Sequence, residues 1–109
     1  MIAKRQRPVE TEASFQAAVV QMATALGWRV YHTAFSLRSE PGWPDLVLVK
    51  AGHPVIYAEL KSDSGKLTAA QTEWLDLLMT ALGTEVYCWR PADWVWIEAR
   101  LRGAIEAPG

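Results

Sequence analysis

Two short apolar runs, Leu46-Val47-Leu48-Val49 and Val55-Ile56-Tyr57-Ala58, stand on either side of Lys50-Ala51-Gly52-His53-Pro54. Each run is too short for a helix and rich in β-branched residues, and the segment between them holds a glycine and a proline. That combination predicts two strands joined by a tight antiparallel hairpin. Both runs are apolar at alternate and intervening positions, so both faces of the sheet they build need covering by helices.

The flanking segments supply those helices. Phe15, Val19, Met22 and Leu26 recur at helical spacing and predict an amphipathic helix over residues 10–26, with Thr11 able to cap its start and Gly27 its stop. Residues 28–33 carry the aromatic and β-branched content of a strand. Residues 34–44 form a loop in which Trp43, preceding a proline, is held extended. A second helix spans residues 68–82, with Leu67, Trp74, Leu78 and Ala81 on one stripe and Leu75 and Leu82 beside it. Gly83 ends it, a fourth strand covers 85–89, and a last amphipathic helix runs over 93–102. The order α-β-β-β-α-β-α predicts an α/β fold with a four-stranded mixed sheet flanked by helices. The helix between strands three and four is long enough for a parallel crossover.

The chain of 109 residues fits one domain. Residues 1–8, polar and basic, read as a flexible arm ahead of a single domain over 9–109. A formal net charge of −1 removes any bulk electrostatic case for nucleic-acid binding, so an anionic polymer must be held by local basic groups or a bound cation. Cys88 is the single cysteine, which excludes an internal disulfide or a multi-cysteine zinc site; within Val86-Tyr87-Cys88-Trp89 it reads as a small core residue. No leader-like h-region or membrane-length apolar run is present, and a cytoplasmic setting without membrane contact is expected. No phosphate-cradling glycine loop occurs, so no nucleotide cofactor is expected.

Three ionisable residues break the apolar pattern of the hairpin: Asp45 opens the second strand, and Glu59 and Lys61 lie near the end of the third. Glu59 and Lys61 are two apart on a strand and share a face, and the hairpin can set Asp45 across from them. Buried charges are costly unless paired or metal-bound. Two carboxylates can hold Mg²⁺ or Mn²⁺ while leaving positions for a phosphate oxygen and a water. An adjacent amine can orient or deprotonate that water and stabilise the transition state. The plain alternative is a surface Glu–Lys pair beside an unrelated aspartate.

Pro44-Asp45 followed by Glu59-Leu60-Lys61 resembles the motif of the PD-(D/E)XK nuclease superfamily. Glu12, Gln16, Gly27-Trp28, Tyr31-His32, Ser39-Glu40-Pro41-Gly42-Trp43-Pro44-Asp45-Leu46, Gly65-Lys66-Leu67 and Gln71 complete an ordered set over residues 10–95. The whole resembles the virus-type replication-repair nuclease (VRR-NUC) domain in its stand-alone phage and bacterial form. The resemblance implies a restriction-endonuclease-like αβββαβ core and a Mg²⁺- or Mn²⁺-dependent DNA endonuclease, acting on branched DNA such as four-way junctions and as a homodimer in a bacterial cell. It implies Asp45 and Glu59 as metal ligands, the Leu60 carbonyl as a further one, Lys61 as the catalytic lysine, Glu12 as an extra acidic residue and Gln71 as a glutamine near the site. Thr68-Ala69-Ala70-Gln71 also reads as a capping box, so Gln71 has a structural reading beside the catalytic one. Arg38 and Lys66 are candidate phosphate contacts and Trp43 a candidate base-stacking residue. A non-catalytic nuclease-like DNA-binding or assembly subunit is the alternative function.

Overall fold

The structure, a computed structural model, describes residues 11–33 and 40–103. The basic arm expected at 1–8 and the candidate phosphate contact Arg38 lie outside the described residues. The elements in order are α1 (Glu12–Ala25), β1 (Arg29–His32), β2 (Leu46–Val49), β3 (Val55–Leu60), α2 (Ala69–Met79), β4 (Thr84–Trp89), a short 3₁₀ turn (Pro91–Asp93) and α3 (Trp94–Arg102). The expected α/β architecture with a four-stranded mixed sheet is the one observed. Strand order is β1-β2-β3-β4, with β1/β2 and β2/β3 antiparallel and β3/β4 parallel.

Strand alternation divides the sheet into two unlike faces. Leu46, Leu48, Ile56, Ala58, Leu60 and Trp89 project to one side, where they bury against Phe15, Val19 and Ala23 of α1 and Ile97 and Leu101 of α3. Those α1 residues fall at i, i+4 and i+8, a single stripe, so the helix turns one face into the core. Trp94 and Trp96 pack at the margin of this cluster. The opposite side carries Val47, Tyr57 and Glu59 and is covered by α2, which buries Leu75.

Helix ends follow their side chains. Thr11 caps α1 through a reciprocal pair with Ser14. At the other end Lys50 Nζ donates to the Leu26 carbonyl at 2.9 Å. The second helix is shorter than its apolar pattern predicts, ending at Met79 rather than reaching Leu82. Thr80 takes the last-turn geometry, its hydroxyl donating to Leu77 O, and Thr84 Oγ1 donates to the carbonyls of Leu78 and Ala81. These bonds satisfy the terminal carbonyls before Gly83 is reached. Leu82 therefore lies outside the helix and is 98% exposed.

Sequence periodicity does not reveal the buried ion pair on the α3 side. Glu85 of β4 and Arg100 of α3 are both buried and joined by two hydrogen bonds, and the Tyr87 hydroxyl donates to Glu85 Oε1 at 2.6 Å. Burial pushes the Glu85 carboxyl up, but the bonds from Arg100 and Tyr87 outweigh it and bring the group below its ordinary value. The pair clasps α3 to β4 by charge, and removing the arginine strands a buried carboxylate. Arg100→Ala is expected to lower unfolding free energy by about 3–5 kcal/mol in urea titration at pH 7; a loss below about 1 kcal/mol would show that the pair is not desolvated in solution.

Candidate active site

The site begins with strand register. Leu46 pairs with Ala58, so one step further along the ladder Asp45 stands opposite Glu59. The Asp45 carbonyl accepts from Thr33 N at 2.9 Å on the β1 side, and Lys61 N donates to Trp89 O at 3.0 Å on the β4 side. The backbone groups of Asp45 and Glu59 thus point away from each other. They form a non-hydrogen-bonded pair, in which Cα atoms approach to about 4.5 Å and side chains are closest. Both carboxylates rise from the face covered by α2.

Glu59 is 3% exposed, although it carries a charge-bearing side chain. Its Oε2 accepts from Gln71 Nε2 at 2.8 Å and lies 3.8 Å from Lys61 Nζ. Its Oε1 is buried with no hydrogen-bond partner. Asp45 Oδ2 accepts from Leu60 N at 2.9 Å. In an extended strand the N–H and C=O of one residue point to the same neighbour. The Leu60 carbonyl therefore emerges on the Asp45 side, where the ladder has ended. Burial, and after it the negative charge of Asp45, push the Glu59 carboxyl up to about 8, with Lys61 acting in the opposite direction.

Gln71 holds both roles that its position in the sequence permits. Its Oε1 accepts from Thr68 N at 2.8 Å, completing the helix cap, while its Nε2 reaches Glu59. The helix is held in place by the Pro41–Pro44 turn. Gly42 adopts φ +90°, and a Cβ there would sit 2.4 Å from the carbonyl carbon of Ala70, so only glycine permits this approach. Trp74 Nε1 donates to Pro41 O at 3.1 Å, and Trp43 packs edge-on against both Trp74 and Tyr57. Trp74, on the apolar stripe of the second helix, is half-buried at this junction.

On the other flank, Arg90 Nη1 donates to the carbonyls of Ser62 and Gly65, both at 2.6 Å, and Asp63 Oδ1 accepts from Ala92 N. These bonds fix the loop that leaves Lys61. Neither Arg90 nor Gly42 reveals its structural role through residue type or spacing. Cys88, expected as a core residue, is half-buried and is the β4 partner of Glu59; burial pushes its thiol up.

The structure thus brings Asp45, Glu59, Lys61, Gln71 and the Leu60 backbone together. It does not bring Glu12 to them by any contact among the described residues: Glu12 is exposed in the first turn of α1, on the helix that covers the opposite face. Gln16, one turn on, meets His32 Nδ1 at 3.3 Å rather than the carboxylates. Lys66 is exposed, and Trp43 is half-buried. Among the described residues no group of three or more His, Cys, Asp or Glu side chains gathers as a metal cage.

The donor set nonetheless fits a hard cation with few protein ligands. Glu59 Oε1 is an oxygen without a partner, Asp45 keeps Oδ1 beyond its bond to Leu60, and the Leu60 carbonyl lies alongside. Mg²⁺ is commonly held by one or two carboxylates with water in the remaining positions. Compared with protein-family models, curated proteins and solved structures, the chain has no match.

A carboxyl that titrates higher folded than unfolded stabilises the fold only while protonated. The contribution of Glu59 is complete below its ordinary value of 4.5 and is lost as pH rises through about 8. In EDTA, stability should fall between pH 5 and 9 by on the order of 3 kcal/mol from this group. Glu59→Gln should flatten that slope and raise the melting temperature at pH 8.5 relative to the unaltered chain. Parallel pH profiles of the two proteins would contradict the assignment of the strain to Glu59.

Proposed function

We propose that this protein is a metal-dependent nuclease that hydrolyses DNA phosphodiester bonds at Asp45, Glu59 and Lys61. The observation that carries the reading is the buried Glu59 carboxyl with an unpartnered oxygen, facing a second carboxylate and flanked by an amine. Lys61 Nζ pairs with Glu59 Oε2 at 3.8 Å, so the cluster sets one amine against two carboxylates.

Asp45, Glu59 and the Leu60 carbonyl would hold Mg²⁺ or Mn²⁺. When bound, such an ion supplies a Lewis acid for the phosphate and a more acidic water. Lys61 stands on the Glu59 face with only part of its side chain exposed, where it can orient an attacking water and donate to a phosphate oxygen. Gln71 donates to Glu59 Oε2, and Oε1 is the oxygen that would bind such an ion.

The choice of DNA, branched forms included, rests on the resemblance to VRR-NUC domains, as do the homodimer and the bacterial cytoplasm as its setting. Among the described residues no helix is long and apolar enough to cross a membrane.

Cleavage of labelled duplex, flapped and four-way-junction DNA in Mg²⁺, Mn²⁺ or EDTA tests the proposal. Lys61→Ala is expected to lower the rate by about 10²–10⁴-fold, the usual worth of a positioned proton-transfer group. Asp45→Ala should abolish cleavage. Activity that survives EDTA, or an undiminished rate in Lys61→Ala, would remove the reading. A folded wild-type protein that binds DNA but cuts none of the three would favour the non-catalytic alternative.

A further inference from the structure

The cross-sheet row next to Asp45 and Glu59 on the same face consists of Tyr31, Val47 and Tyr57. Rows two residues apart along a strand are separated by about 6.6 Å. At the Tyr31 end of this row lies an open hollow of about 260 Å³, lined by Tyr31, Thr33, Glu40, Trp43 and Trp74. The hydrogen-bonding groups of two lining residues are already used, since Thr33 Oγ1 donates to Pro44 O and Trp74 Nε1 to Pro41 O. What faces the hollow is aromatic surface and one exposed carboxylate.

Glu40 in the lining repels a phosphate. A flat, uncharged ring with N–H donors on its edge is the complementary guest: aromatic walls accept its faces, and a carboxylate can accept from an exocyclic amine. Trp43 and Trp74 are held at 85° to each other, centroids 4.9 Å apart, so the walls are set before any guest arrives. Tyr31 is 65% exposed, an aromatic side chain that burial leaves unexplained.

We infer that this hollow is a nucleobase subsite that receives an unpaired base from the strand whose phosphate lies at Asp45 and Glu59. The inference rests on the nuclease reading for the position of that phosphate. Thr33, which lines the hollow, donates its backbone N–H to the Asp45 carbonyl at 2.9 Å, so the hollow borders the row that holds the two carboxylates. A base inside a duplex has both faces stacked and its edge paired, so an unpaired base enters at a lower cost. The site therefore selects strands with an unpaired nucleotide beside the phosphate to be cut.

The test uses 2-aminopurine, whose fluorescence falls when it stacks on an aromatic ring. Two DNA probes of the same sequence are compared, one fully paired and one with the 2-aminopurine unpaired in a bulge, in EDTA so that neither is cut. The wild-type chain should quench and prefer the bulged probe. Tyr31→Ala should weaken its binding about 5- to 150-fold, the worth of one base–aromatic stack, and leave the paired probe unchanged; Tyr31→Phe should restore it. Equal binding of the bulged probe by wild type and Tyr31→Ala, or no preference for the bulge, would overturn the subsite. The two readings fail separately. Tyr31-dependent quenching without Mg²⁺-dependent cleavage sinks hydrolysis and keeps the subsite. Metal-dependent cleavage indifferent to Tyr31→Ala, together with equal probe binding, does the reverse.

Discussion

The β2–β3 register places two carboxylates across a non-hydrogen-bonded pair at the end of the sheet, and the rest of the site is arranged around the repulsion this creates. Cross-strand like charges destabilise a hairpin, and burial deepens the penalty because water no longer screens them. Glu59 meets this in the metal-free chain by holding its proton to about pH 8. The proposed divalent cation would remove the same repulsion without the proton. The surrounding bonds limit any other relief: Gln71 pins one Glu59 oxygen, Leu60 N pins one Asp45 oxygen, and the Gly42 turn stops α2 from backing away.

The opposite face of the sheet shows what a satisfied buried charge looks like in this fold. Glu85 accepts from both Arg100 and Tyr87, and its carboxyl is driven below its ordinary value. Glu59, buried on the neighbouring strand, is driven the other way. The contrast lies in the partners, a bidentate guanidinium in one place and a second carboxylate in the other. Glu59 has Lys61 at 3.8 Å but faces Asp45 as well, so one amine is set against two carboxylates, and the proposed cation is the group that would balance them.

Much of this arrangement is legible in the order of the residues. The hairpin follows from the two apolar runs and their turn, and its register sets Asp45 beside Glu59. The mixed sheet follows from a helix-length crossover between β3 and β4. Other features depend on contacts that no local pattern encodes. The end of α2 is decided by Thr80 and Thr84 hydroxyls, which override an apolar stripe continuing to Leu82. The pairing of Glu85 with Arg100 leaves no mark in local spacing because it spans strand and helix. Glu12 has the right residue type for an acidic ligand, and it stands exposed in the first turn of α1 with no contact among the described residues that joins it to the pair. Gly42 and Arg90 matter through backbone approach and carbonyl contacts, neither of which has a signature in residue type or spacing.

The central claim is that a proton and a divalent cation compete for Glu59. Calorimetric titration of the metal-free chain with Mn²⁺, repeated in buffers of different ionisation heat, measures the protons released on binding. The account predicts one site per chain, release of close to one proton at pH 7, release falling toward zero above pH 9, and loss of the site in Asp45→Asn. Absence of binding, or binding at pH 7 without proton release, would contradict it.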